Sequence, residues 1–229
     1  MPKKETYGAQ PPIEILRQYL DHKGWYNRRE LVFMKLEELI FLTAMGPPGG
    51  GRSSITARMT RHFNLIAYTE LDKEVIRQIF DCIVKFMLKR FEDKVKDLIG
   101  DLIEQTLQVY YTVRKDLLPT PSKSHYTFNL RDISKVFQGI CSVSYKQCNS
   151  PILVVRCWYH ENMRVFHDRL VDEEDREYLK NLLISKIQHF NGLTQDEVID
   201  PSIERIIFAD FMQGREQDPR HYIQVDDMY

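Results

Sequence analysis

The stretch EELIFLTAMGPPGGGRSS, residues 37–54, decides how the chain is read. Leu39, Ile40, Phe41 and Leu42 follow one another and run into a cluster of proline and glycine. A short continuous apolar run closed by turn residues reads as a buried strand, of the kind found in parallel sheets. The same stretch holds G-x-x-x-x-G-R-S from Gly46 to Ser53, one residue away from the phosphate-binding pattern G-x-x-x-x-G-K-[ST]. A phosphate loop works through backbone N–H groups at a helix N-terminus. Pro47 and Pro48 carry no N–H, and Arg52 is larger and more planar than the lysine it would replace. The following SSITARMTRHFN, residues 53–64, lacks a strong apolar helical face. The glycines are therefore read as turn residues after a strand, not as a phosphate cradle.

Around this stretch the bulk properties are those of a globular chain. It has 229 residues, 43% hydrophobic and 28% charged, enough for one large domain or two small ones. A formal net charge of -1 argues against a general electrostatic grip on nucleic acid or an anionic membrane. No uninterrupted apolar run approaches the ~20 residues of a membrane span. MPKKETYGAQ has lysines but no apolar stretch after them, so it does not read as a secretory signal. Cys82, Cys141, Cys148 and Cys157 form no C-x-x-C pair and are read as reduced thiols of a cytosolic protein. The chain enters helical pattern almost at once and ends in IQVDDMY, so both ends are expected to be cuts in a longer polypeptide.

Along the chain, PPIEILRQYLDHKG predicts a helix with Pro11 and Pro12 at its start and Gly24 at its stop, burying Ile13, Leu16 and Leu20. HFNLIAY, residues 62–68, is a second strand candidate. From Asp72 the pattern turns helical. One face is expected to carry Ile76, Ile79, Phe80, Ile83, Phe86 and Met87, and the next Val95, Leu98, Ile99, Leu102 and Leu107. Pro119 and Pro121 interrupt. Asn129, with Asp132 three residues later, marks a helix start. Ser150-Pro151 opens a helix whose expected apolar face is Ile152, Val155, Tyr159, Met163 and Phe166. Asp172 opens another that should close near Asn191-Gly192. The last stretch reads as a strand, a polar loop and a strand.

Five stretches, taken together and in this order, resemble the motor region of dynein heavy chains: YGAQPPIEILRQYLDHKGWY (7–26), AMGPPGGGR (44–52), RHFN (61–64), HYTFNLRDISKVFQGI (125–140) and HENMRVFHDRLVDEEDR (160–176). They look most like the third AAA+ module of an axonemal (ciliary) dynein, and the likeness covers essentially the whole chain. The resemblance implies an α/β plus all-α fold, predominantly helical. Residues 1–70 would be the C-terminal part of an AAA+ large subdomain, a partial parallel sheet with helices that includes the sensor-1 strand and loop. Residues 71–192 would be its helical lid, and 193–229 a linker and the start of the next module. The Walker A loop and Walker B acids would lie upstream of Met1. The family's usual Asn-Pro after GGGR is Ser53-Ser54 here, which leaves the local turn open.

The resemblance also assigns roles. Gly46 falls at the sensor-1 position, where an asparagine of the family's first module orients water. With no side chain there, slow or regulatory turnover is implied. Arg61 matches an arginine finger offered to a neighbouring module's nucleotide. Arg131 matches sensor-2 of the lid, in the first turn of a helix where a cation is disfavoured by the helix dipole; the alternative is a salt bridge to Asp132 or another acid. The implied ligands are ATP/ADP with Mg²⁺ in the intact module and none for the isolated chain, which should not hydrolyse ATP. Implied partners are neighbouring AAA+ modules, dynein intermediate and light chains and the microtubule, in the cytoplasm and ciliary axoneme, with no nucleic acid and no membrane. The rival reading is a truncated stand-alone helical interaction protein without ATPase activity. His160, Glu161, Arg164, Asp168 and Arg169 are expected to form an ion-pair net on a helix surface, and Ser53-Ser54 with His62 lacks the orienting acid of a hydrolase. Half a sheet leaves an open strand edge, so the isolated chain is expected to aggregate or to need a partner.

Overall fold

The computed structural model describes residues 3–46, 53–146, 148–190, 192–199, 205–211 and 221–225. Its packing separates two units, Met1–Glu70 and Leu71–Tyr229. As expected, the described residues are predominantly helical, with a few short strands.

In the first unit, α1 (Pro11–His22) begins with prolines at positions that need no N–H partner. It ends at Lys23, left-handed at φ 58°, whose N–H returns to the Tyr19 carbonyl. Ile13 and Tyr19 are buried, while Leu16 and Leu20 are only half-buried. The chain then makes a hairpin that the sequence reading did not anticipate: β1 (Gly24–Tyr26) pairs antiparallel with β2 (Phe33–Lys35). A one-turn helix, α2 (Ala57–Thr60), follows.

The parallel sheet expected in this unit is not formed among the described residues. Residues 37–46 and 62–68 contain no strand pairing. Most of their apolar side chains are exposed, Leu42 at 94% and Ile40 at 90%, while Phe41 and Phe63 are half-buried. The reason is that a strand is stabilised by the ladder on a neighbour about 4.8 Å away, and apolar composition alone supplies no neighbour. The Pro/Gly loop at 47–52, with Arg52 and the phosphate-loop question, lies outside the described residues.

The second unit comprises α3 (Lys73–Met87), α4 (Asp93–Lys96), α5 (Ile99–Asp116), α6 (Leu130–Ser142), α7 (Pro151–Val165), α8 (Glu173–Ile187), α9 (Gln195–Val198) and the antiparallel pair β3 (Phe208–Ala209) and β4 (Ile223–Gln224). One core unites these elements. The α4–α5 face is the expected one, with Val95, Leu98, Ile99, Leu102 and Leu107 all buried. Two faces differ. On α3 the buried stripe is Ile76, Phe80 and Val84, whereas Ile79, Ile83 and Phe86 lie on an exposed second apolar stripe. On α7 burial extends around most of the helix, adding Val154, Cys157, Trp158, Glu161 and Asn162 to the expected Val155 and Tyr159. α8 closes at Ile187 with Gln188 as its C-cap, earlier than the expected end near Asn191-Gly192; Asn191 lies outside the described residues. The last stretch forms the anticipated strands, Phe208 opposite Gln224 and Ala209 opposite Ile223.

Glycine decides the α6–α7 approach. A Cβ on Gly139 would sit 2.0 Å from the Glu161 carboxyl carbon. Glu161 itself is fully buried. Gly139→Ala should gain about 1 kcal/mol of helix propensity. It should lose more through overpacking, about 1–3 kcal/mol, and through displacing a paired buried charge. The expected outcome is net destabilisation of about 2 kcal/mol, read as a lower midpoint in chemical unfolding; an unchanged or raised midpoint would mean that α6 and α7 are not this close.

Candidate functional site

Arg131 stands in the first turn of α6, and the start of that helix is built by reciprocal capping. The Asn129 side chain accepts from the Arg131 N–H at 2.9 Å, and the Asp132 carboxylate accepts from the Asn129 N–H at 3.0 Å. Successive helical residues turn by about 100°, so neighbours face different ways. Asp132 points inward and is 2% exposed; Arg131 is exposed and, among the described residues, forms no ion pair. The salt bridge from Arg131 to Asp132 that the sequence left open is therefore absent.

Asp132 is taken instead by Arg169, from the 3-10 turn His167–Arg169 that joins α7 to α8. The two guanidinium nitrogens reach the two carboxylate oxygens at 2.7 and 3.3 Å, a bidentate arrangement. Arg169 also donates to the Thr127 carbonyl at 3.2 Å and lies over the Phe128 ring, 5.3 Å from its centroid. Beside it, Lys123 bridges Asp172 and Asp175 at 2.5 Å each. The Tyr126 hydroxyl donates to Asp175 and accepts from the Val171 N–H, both at 2.9 Å. The loop that leads into α6 is thus stitched at several points to the α7–α8 corner. The sequence reading singled out Arg131 and missed these supports. Their signal was the acidic and basic residues in HYTFNLRD and HDRLVDEED, which become partners only when the helices fold together.

The same contacts set the charges. Burial pushes the Asp132 carboxyl up, but the Arg169 hydrogen bond, the Asn129 N–H and the nearby positive charges outweigh it and hold it below the ordinary value. Lys123 holds Asp175 below its ordinary value against the opposing effect of burial, with Tyr126 adding to the shift.

In the first unit, Arg61 follows α2 and has a 59% exposed side chain. It is held by Asp21 of α1 at 2.7 Å, and its Nε donates to His62 Nε2 at 3.1 Å. Asp21 also meets Arg17 at 3.0 Å and His62 at 3.1 Å. Asp21 was not among the residues expected to matter. Gly46 is exposed and outside any helix or strand, so no framed sensor position is formed around it among the described residues.

The expected surface net on α7 needs correction. Glu161 is buried, bonded to Arg164 at 2.6 Å and to the Tyr222 hydroxyl. Asp168 meets Arg205 at 3.2 Å, and Arg169 reaches into α6. A helix drawn as a wheel cannot show that one of its sides is covered by later chain. The described residues contain no group of three His, Cys, Asp or Glu side chains placed to hold a metal ion, and no helix among them is long and apolar enough to cross a membrane.

A family model described as "P-loop containing dynein motor region" matches residues 1–71, which include Gly46 and Arg61. A second, "AAA+ lid domain", matches residues 102–201, which include Arg131, Asp132 and Arg169. Dynein axonemal heavy chain 1 of Mus musculus is 45% identical over 225 residues, covering 93% of this chain and 5% of the relative. The Homo sapiens protein of the same name is 44% identical over 225 residues, with the same coverage. Dynein axonemal heavy chain 3 of Homo sapiens is 37% identical over 239 residues, covering 100% of this chain and 6% of the relative. The chain therefore spans only about 5% of the length of the curated relatives it matches.

The Asp132 pair predicts an acid response. A carboxyl held below its unfolded value contributes stability that is fully present above that unfolded value, about 3.9, and is lost as pH falls through the depressed one. Asp132→Asn should therefore flatten the fall of stability as pH drops below about 4. Chemical unfolding midpoints measured across that range check this, and an unaltered acid limb would show that the pair carries no linkage.

Proposed function

The chain belongs to the dynein heavy-chain family, and from that premise we propose that it supplies the sensor and lid part of a regulatory ATP-binding AAA+ module, the third in the motor ring of an axonemal dynein. The observation that supports this most directly is Arg131. It is an exposed cation without a carboxylate partner among the described residues, placed where the helix dipole disfavours it, on a helix start held by the ion pair of buried Asp132 with half-buried Arg169. Such a cation is poised for an anion that comes from outside the lid.

In this reading Arg131 donates to the terminal phosphate of ATP, so the lid closes on ATP and not on ADP. The lid angle then biases neighbouring modules, a shift of population between ring states. Gly46 offers no side chain to orient an attacking water, which fits a module that holds nucleotide and turns over slowly. Arg61, braced by Asp21, is the finger that places fixed positive charge on a neighbouring module's nucleotide. Nucleotide arrives with Mg²⁺, whose ligands come from other parts of the module. The pattern G-x-x-x-x-G-K-[ST] does not occur in this sequence, so the chain alone does not hydrolyse ATP. The work of the whole motor is movement along microtubules in the cilium, together with its intermediate and light chains.

Two measurements test this. An antibody against an α8 peptide should detect, in ciliated cells, a polypeptide far larger than 27.3 kDa; a band at that mass instead would sink the motor reading. In the heavy chain, amide exchange over residues 130–134 should slow with ATP relative to ADP, and Arg131→Ala should remove the difference. Equal protection by both nucleotides in the unaltered protein would end the sensor assignment.

A further inference from the structure

We propose that Asp132 and Arg169 are positioning residues for Arg131: their bidentate, partly buried ion pair fixes the first turn of α6 to the α7–α8 corner, so that Arg131 meets the terminal phosphate of a nucleoside triphosphate at a set angle. The inference rests on the sensor reading of Arg131 given above and adds residues that act through it.

The geometry carries it in three steps. Arginine is a long side chain, and its reach is useful only if its backbone is held. Here the Arg131 N–H is bound by Asn129, and the next residue is anchored through both oxygens of its carboxylate. Next, the anchor comes from a different part of the unit. Arg169 contacts the loop at Thr127 and Phe128 as well as α6 at Asp132, while its own carbonyl lies 3.0 Å from His125 Nε2. One side chain therefore ties together the loop, the helix start and the α7–α8 corner. Finally, Asp132 is shut away from water while Arg169 is half-buried, and withdrawing a carboxylate in this way is a poor device for stability alone, since apolar replacements are often neutral or better. What the pair supplies that an apolar contact does not is direction, because two oxygens meet two nitrogens in one plane.

The arrangement makes Arg131 responsive to the lid as a body. A movement of the α7–α8 corner carries the α6 start with it, because the link is bidentate and anchored on a buried carboxylate. Lys123 and Tyr126, tied to Asp172 and Asp175, reinforce the same seam farther along the loop.

The test uses a full-length heavy chain whose other phosphate-binding loops are disabled, titrated with fluorescent analogues of ATP and ADP. Arg131→Ala is expected to lower the preference for ATP over ADP by about tenfold, the scale of one charged hydrogen bond. Arg169→Gln should lower it by a similar factor with ADP affinity unchanged. Arg169→Lys, which keeps the charge but not the fork, should fall between. The double variant Arg131→Ala/Arg169→Gln should be no worse than Arg131→Ala, since the two act through one contact. If Arg169→Gln weakens ATP and ADP alike, or adds in full to Arg131→Ala, the pair is only structural and the proposal falls while the sensor reading stands. If Arg131→Ala leaves the preference unchanged, the sensor reading fails and takes the proposal with it. Should Arg169→Gln fail to fold, Asp132→Asn, which retains an acceptor for the Asn129 N–H, is judged by the same outcomes.

Discussion

The helical unit depends on a helix with little outer face. α7 is buried around most of its circumference, so the polar groups it carries are met mainly inside the protein. Trp158 Nε1 donates to the Thr106 hydroxyl at 2.8 Å, and that hydroxyl donates to the Leu102 carbonyl at 2.6 Å. Within α7, Asn162 donates to the Trp158 carbonyl at 2.7 Å. The Trp158–Thr106 bond links α7 to α5 with defined direction, where apolar contacts alone would allow sliding. Glu161 extends the same demand to α6 and to Tyr222, and Gly139 is the space that lets it do so.

Because α7 is held in this way, the turn at its C-terminal end is a fixed point. Arg169 uses that point to hold the start of α6, while Arg131, one residue before the anchored Asp132, is exposed. The charges are ordered in depth: Asp132 buried, Arg169 half-buried, Arg131 exposed. The inner pair meets its own demand for neutrality and leaves Arg131 without an ion-pair partner among the described residues. The 100° step between consecutive helical residues separates the buried and the exposed charge within one turn.

Local signals in the sequence were read well where they act over a few residues. Pro11-Pro12, Asn129 with Asp132, and the heptad-like apolar spacing of α4 and α5 state helix starts and faces through contacts within one or two turns. The awkward placement of Arg131 in the first turn of α6 was legible for the same reason, whereas its role came from the resemblance alone. The failures were non-local. The runs at 37–46 and 62–68 have the composition of buried strands, yet a strand exists only as one member of a pair, and no pairing occurs there among the described residues. The buried stripe of α3 was misplaced because its sequence is apolar on two sides, and only the neighbouring α5 and α6 select between them.

The sequence by itself determined that the chain is mostly helical and where its main helices start, properties that follow from spacing along the chain. Its motifs, in their order, also resemble those of a dynein motor region. Only the tertiary structure decided that Asp132 belongs to Arg169 and not to Arg131, that Glu161 is interior, and that Asp21 braces Arg61. Arg169 lies 37 residues from Asp132, and Arg61 lies 40 residues from Asp21. At such separations, charge complementarity in a sequence offers many possible partners, and packing selects among them because a buried charge must be met at hydrogen-bond distance.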